Sequence, residues 1–176
     1  MITMETRLTE HFSLQEMTKS SSHPRIENVP SEAAVENLRR VCRQLELLRM
    51  RYNQRYGCGK EWPIVVNSGY RSERLNKAVG GAEGSNHLTG CAADLHCKDL
   101  KQALRYACLL LDYNGPKDLT SSRVCSHSAE SMQASHCARS TADFDEIIIE
   151  RKGKRFWLHF AVRPEGNRGK VTCVVK

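Results

Sequence analysis

Two histidines and one aspartate are the residues whose types best suit catalytic chemistry. A catalytic zinc site takes three protein ligands, commonly imidazoles with a carboxylate, and leaves a fourth position to water. The run Ser85-Asn86-His87-Leu88-Thr89-Gly90-Cys91-Ala92-Ala93-Asp94-Leu95 supplies a His and an Asp seven positions apart. Gly90 lets the chain turn tightly between them, and the small Ala92 and Ala93 leave room around an ion. Far downstream, Phe156-Trp157-Leu158-His159-Phe160-Ala161-Val162 offers a third ligand. Alternate residues of a strand share a face. Phe156, Leu158, Phe160 and Val162 are thus expected on the core, with Trp157, His159 and Ala161 lining a cleft. A single His in an apolar strand reads by itself as a hydrogen-bonded core residue, but His159 lies off the apolar stripe. Ala92, Asp94 and His96 share a face in the same way, and His96 either looks into the cleft or ends its strand.

These residues need elements to hold them. A capping box at Ser13-Leu14-Gln15-Glu16 starts a short helix, and Pro30-Ser31 opens a longer one. In the longer helix Val35, Leu38, Cys42, Leu45, Leu48 and Tyr52 recur at helical spacing until Gly57-Cys58-Gly59. Pro63 to Asn67 reads as a strand, and Ser68-Gly69-Tyr70-Arg71 turns into a brief helix stopping at Gly80-Gly81. A small-residue loop from Ala82 to Asn86 leads to His87, and Cys91 to His96 reads as a second strand. Leu100, Ala103, Leu104, Ala107, Cys108 and Leu111 mark a further helix. Residues 114–141 are Ser-rich and aperiodic, a loop insertion. Strands are predicted at Glu146 to Glu150, Phe156 to Val162 and Val171 to Val175, the first two joined across Lys152-Gly153. This order gives one α+β domain over residues 1–176, a small antiparallel sheet flanked by helices.

Composition bounds the function. With 40% hydrophobic and 27% charged residues the chain is ordinary for a globular protein. No apolar run is long enough to span a membrane, and the first twenty residues lack a signal-peptide core. A net charge of +7 favours anionic partners. The basic residues are scattered, however, apart from Arg39-Arg40 and Arg151-Lys152-Gly153-Lys154-Arg155, and no aromatic residues interleave with them. A specific nucleic-acid groove is not expected. Eight cysteines without a secretory signal are read as free thiols, Cys42 and Cys108 on apolar helix faces. Cys125-Ser126-His127 and His136-Cys137 fit no standard zinc-knuckle spacing and are read as loop residues.

The ordered motifs carry a resemblance. Ser85-x-His87-x-x-Gly90-x-Ala92-x-Asp94-Leu95 followed by Trp157-x-His159 resembles the zinc D-alanyl-D-alanine carboxypeptidase-like family, which includes endolysins. That family shares its fold with lysostaphin-type peptidases and hedgehog signalling domains. Ser68-Gly69-Tyr70-Arg71-Ser72 matches as well, as do Phe144-Asp145 and Glu150, so the likeness runs from about Phe12 to the C-terminus. It implies a zinc metallopeptidase of bacterial cell-wall peptidoglycan, a D-Ala-D-Ala carboxypeptidase or an endopeptidase, with Zn2+ on His87, Asp94 and His159. It further implies Arg71 as the cation that binds substrate and stabilises oxyanion charge, and Ser85 as a substrate contact or a turn cap; Trp157 itself reads as a cleft wall or a core indole.

The general base is less directly marked. The family often places a carboxylate three residues before the final His, where this chain has Phe156. Glu150 matches a Glu that some relatives carry at the end of the preceding strand. Glu146 is the runner-up, expected opposite His159 in a Lys152-Gly153 hairpin. The rival reading is a catalytically silent zinc-stabilised module that binds wall peptides or a protein partner. A monomer made in the cytoplasm and acting at the cell wall or periplasm is the expectation.

Overall fold

The computed structural model describes residues 6–113 and 143–175. The expected insertion at 114–141, with its Cys-Ser-His and His-Cys pairs, lies outside the described residues.

Helix starts follow their caps. Ser13 accepts a hydrogen bond from the Glu16 N–H and opens α1, Leu14–Thr18. Ser31 accepts from the Ala34 N–H and opens α2, Glu32–Tyr56, which buries Val35, Leu38, Cys42, Leu45, Leu48 and Tyr52. After β1, Val66–Ser68, the Ser72 side chain caps α3, Glu73–Ala78. A 3-10 turn at Asn86–Thr89 leads into β2, Ala92–Cys97, and then α4, Leu100–Tyr113. The chain closes with β3, Glu146–Lys152, β4, Arg155–Ala161, and β5, Lys170–Val175.

The five strands form one sheet in the order β1-β2-β4-β3-β5. Every pairing is antiparallel except β3 with β5, which is parallel. The α+β architecture is as the pattern predicts, with that one parallel pair inside it. The first strand is shorter than Pro63 to Asn67 and later in the chain. Pro63 has no N–H to give to a ladder, and the register slips between Val66 and Ser68.

One sheet face packs on the helices. Ala93, Leu95, Cys97, Ile147, Ile149, Leu158 and Phe160 join the stripe of α2 and the inner side of α4 in one core. The other face carries Ala92, Asp94, His96, Trp157, His159 and Ala161, paired rung by rung across β2 and β4. The α4 stripe is turned from its expected setting. Ala103, Tyr106, Ala107, Leu109 and Leu110 are buried, while Leu100, Leu104 and Cys108 are exposed. The anchor is Tyr106, whose ring meets Tyr52 edge-on at 4.9 Å and so sets which side of the helix faces α2. Cys42 is buried as expected, and the six described cysteines are unpaired.

The β3–β4 hairpin also departs from its expected register. Lys152 pairs with Arg155, and the two-residue loop is Gly153-Lys154. Gly153 has φ +60° at the first loop position, where glycine alone is unstrained. Ile148 therefore faces His159, Glu150 faces Trp157, and Glu146 faces Ala161. Glu146 is not opposite His159 but on the diagonal from it.

Candidate metal centre

His87 sits in the 3-10 turn, and its orientation is set from below. Gly69 O lies 2.5 Å from the His87 Nδ1, so that nitrogen carries the proton and Nε2 presents its lone pair. The Arg71 N–H donates in turn to His87 O, at 3.0 Å, tying the Ser68–Arg71 segment to the turn. Gly69 must be glycine because a Cβ there would run into the Met17 carbonyl. Gly90 ends the turn at φ +73°, and a Cβ there would strike the Ala34 carbonyl of α2. This glycine serves both a left-handed turn and a close approach.

Asp94 and His159 are partners across the β2–β4 ladder. Asp94 Oδ1 lies 3.2 Å from His87 Nε2 and 2.9 Å from His159 Nδ1. The two imidazole centroids are 5.0 Å apart. One ligand atom from each of the three residues falls within 4.8 Å of the others, and all three side chains are buried. Two imidazoles and a carboxylate, convergent and buried, form a donor set that fits a divalent first-row metal.

The electrostatics follow from this packing. Burial opposes ionisation of Asp94, but the charge and hydrogen bonds of His87 and His159 outweigh it and hold the carboxyl well below its usual range. Burial opposes protonation of His159, yet hydrogen bonds to Asp94 and Glu146 push the imidazole up to about 9. Glu146 is brought down to about 2, chiefly by its hydrogen bond with His159, against the opposing effect of burial and with help from Lys170 and Arg168.

Arg71 lies within the same group. Its Nη2 donates to Asp94 Oδ2 at 2.5 Å and its Nε to Ser68 Oγ at 2.8 Å. Ser85 Oγ accepts from the His87 N–H at 3.3 Å, so this serine caps the turn, and it also lines a cavity with Asn86 and Arg163. Trp157 is half-buried beside Asp94 and His96 in a second cavity. His96 is exposed on the cleft face. Glu150 shares that face, opposite Trp157, whereas Glu146 reaches His159 Nε2 with Oε2 at 3.7 Å.

A buried network behind the histidines carries no sequence signal beyond the Phe144-Asp145 pair. Asp145 is fully buried and accepts from Arg168 Nε at 2.8 Å, Arg168 Nη2 at 2.7 Å and Asn86 Nδ2 at 2.7 Å. Asn86 Oδ1 accepts from Arg163 Nε at 2.9 Å, and Asn86 Nδ2 also reaches Glu146 Oε2 at 3.2 Å. The residue before His87 is thereby clamped to the strand that carries Glu146. Burial raises the Asp145 pKa, but the hydrogen bonds from Arg168 and Asn86 and the charge of Arg163 prevail and bring it below its usual value.

Comparison with known proteins places these features in a family. Residues 10–115 match the family model described as Peptidase M15. A stretch of 33 residues is 58% identical to a "Zinc D-Ala-D-Ala carboxypeptidase" of Streptomyces albus G. The matched stretch covers 19% of this chain and 13% of that relative.

Proposed function

The chain belongs to the peptidase M15 family, and on that premise we propose that it is a zinc metallopeptidase hydrolysing peptide bonds in bacterial cell-wall peptidoglycan. The carrying observation is the convergence of His87 Nε2, Asp94 Oδ1 and His159 Nδ1 in one buried group. The name of the Streptomyces relative supports both the metal and the D-Ala-D-Ala type of substrate.

His87, Asp94 and His159 would hold the ion. A zinc ion bound there supplies Lewis-acid polarisation of the scissile carbonyl and an acidified water nucleophile. Glu150 is the proposed base, taking a proton during attack and returning it to the leaving amine. Glu146 suits that task poorly. Its carboxylate is engaged by Asn86, Arg168 and Lys170 and lies at the far nitrogen of His159, where it orients the ring instead. Arg71 spends two nitrogens on Ser68 and Asp94, which fixes the guanidinium plane beside the ligands for a substrate carbonyl or carboxylate. Trp157 walls the cleft, and Ser85 shapes the turn that presents His87.

Purified peptidoglycan digested with and without chelator, followed by mass spectrometry of the fragments, tests this reading and identifies the bond. Hydrolysis that persists in metal-free protein or in His159→Ala removes it. Phe156, standing where a carboxylate is common in the family, supports one alternative, a silent zinc module that binds wall peptides. Zinc retention with no cleavage of any wall peptide selects that alternative.

A further inference from the structure

The metal group occupies one end of a groove whose other end is cationic. Two residues beyond Asp94 and His159 on the same sheet face, His96 stands opposite Trp157. A cavity of about 320 Å3 opens there, lined by Asn67, Asp94, His96, Arg155, Phe156 and Trp157. Asp94 belongs to both the cavity and the metal group. Arg155 begins β4 at the hairpin and is exposed, and no carboxylate pairs with it among the described residues. Lys152 and Lys154 flank it, also exposed. Arg151 is committed elsewhere, with its Nε on Gly153 O and its guanidinium over the Phe156 ring. Arg71, beside the metal group, is already bound to Asp94 and Ser68. An uncompensated guanidinium beside an indole, an imidazole and a carboxamide is a recognition set for a carboxylate on a flat or aliphatic stem.

We propose that this cavity is a carboxylate-selecting subsite, in which Arg155, assisted by His96 and Asn67 and walled by Trp157, holds an acidic side chain of a peptide substrate. The proposal rests on the peptidase reading for the position of the scissile bond and deepens it by naming the substrate class. Asp94 and His96 are two strand positions apart, a span of about 7 Å. Arg155 starts β4 two positions beyond Trp157 and four from His159, yet lines the same cavity as Asp94, so the selected carboxylate lies about two to four residues from the bond that is cut. Selection takes place at the cavity mouth, where the Arg155 charge is partly solvated, and weakens with salt.

The test uses zinc-loaded Glu150→Gln protein as a non-turnover background. Its ligands are a synthetic wall-type pentapeptide carrying one acidic side chain and a twin with that carboxylate replaced by carboxamide. Binding is followed by the NMR shift of the Trp157 indole N–H. The carboxylate peptide is expected to bind roughly tenfold more tightly than its twin, and added Arg155→Gln to erase the difference. Lys154→Gln should leave most of it. Equal affinity for the twins, discrimination that survives Arg155→Gln, or an equal loss in Lys154→Gln would each overturn the subsite. Carboxylate preference in this assay, with no cleavage by the wild-type protein, keeps the subsite and removes the hydrolase reading.

Discussion

Asp94 stands directly across the β2–β4 ladder from His159, and one oxygen of its carboxylate lies within hydrogen-bonding distance of both imidazoles. This single contact joins a turn residue, His87, to two strand residues that sit 65 positions apart. Removing it separates the ligands. Asp94→Ala is expected to drop zinc stoichiometry from one per chain to none, as is His159→Ala, by elemental analysis of dialysed protein. Full retention of zinc in either variant contradicts the assigned ligand set.

The two glutamates of β3 should separate cleanly. Glu150→Gln is expected to keep zinc and to lose about 100-fold or more in turnover, the usual scale for a general base. Glu146→Gln is expected to weaken zinc binding about 10- to 100-fold by freeing the far side of the His159 ring, while turnover at saturating zinc falls much less. The reverse pattern, with Glu146→Gln silent on metal and severe on turnover, would reassign the base.

Metal uptake should depend on pH in a definite sense. In the metal-free protein the His159 pKa is raised from 6.5 to about 9, so an incoming ion must displace its proton below that value. Apparent zinc affinity is expected to climb about tenfold per pH unit between pH 6.5 and 9, measured by chelator competition. The same shift contributes stability to the metal-free fold that is complete below pH 6.5 and lost as pH rises through about 9. Glu146 acts oppositely. Its pKa falls from 4.5 to about 2, so its contribution is present above pH 4.5 and disappears as pH drops toward 2. Denaturant melts of the metal-free protein should therefore show greatest stability between those limits, and a melt insensitive to pH from 6.5 to 9 would count against the His159 pairing.

Asp145 is a stability residue in this scheme. Asp145→Ala removes the shared acceptor of Arg168, Arg163 and Asn86 and is expected to cost about 2–3 kcal/mol, since hydrogen bonds to charged groups are worth that order. Both arginines reach solvent, which keeps the loss below that of a sealed ion pair. Urea unfolding reads it directly, and a change under about 0.5 kcal/mol would mean that the network carries little.

Gly90→Ala places a Cβ against the Ala34 carbonyl and forces a left-handed non-glycine residue. The left-handed conformation alone costs about 1–2 kcal/mol, and relief of the clash must move the turn that holds His87. Loss of both thermal stability and zinc affinity is expected. A variant as stable as the parent would show that the turn relaxes without penalty.

Much of this protein was legible in the chain itself, because local rules act on local residues. Ser13 and Ser31 announce their helices by capping chemistry, and alternation through Trp157, His159 and Ala161 separates cleft from core without reference to anything distant. The convergence of His87, Asp94 and His159 was readable because residue type and order restrict which side chains could share an ion. Tertiary packing decided the rest. The facing of α4 depends on Tyr106 meeting Tyr52, a contact between helices that neither stripe encodes. The hairpin register depends on which two residues occupy the loop, and Gly153 at its first position moved Glu146 two places from where a Lys152-Gly153 turn would put it. The Asp145 clamp joins Asn86 to Asp145 and Arg163 across 59 and 77 positions of chain, and its strength comes from burial, which exists only once the sheet has closed over it.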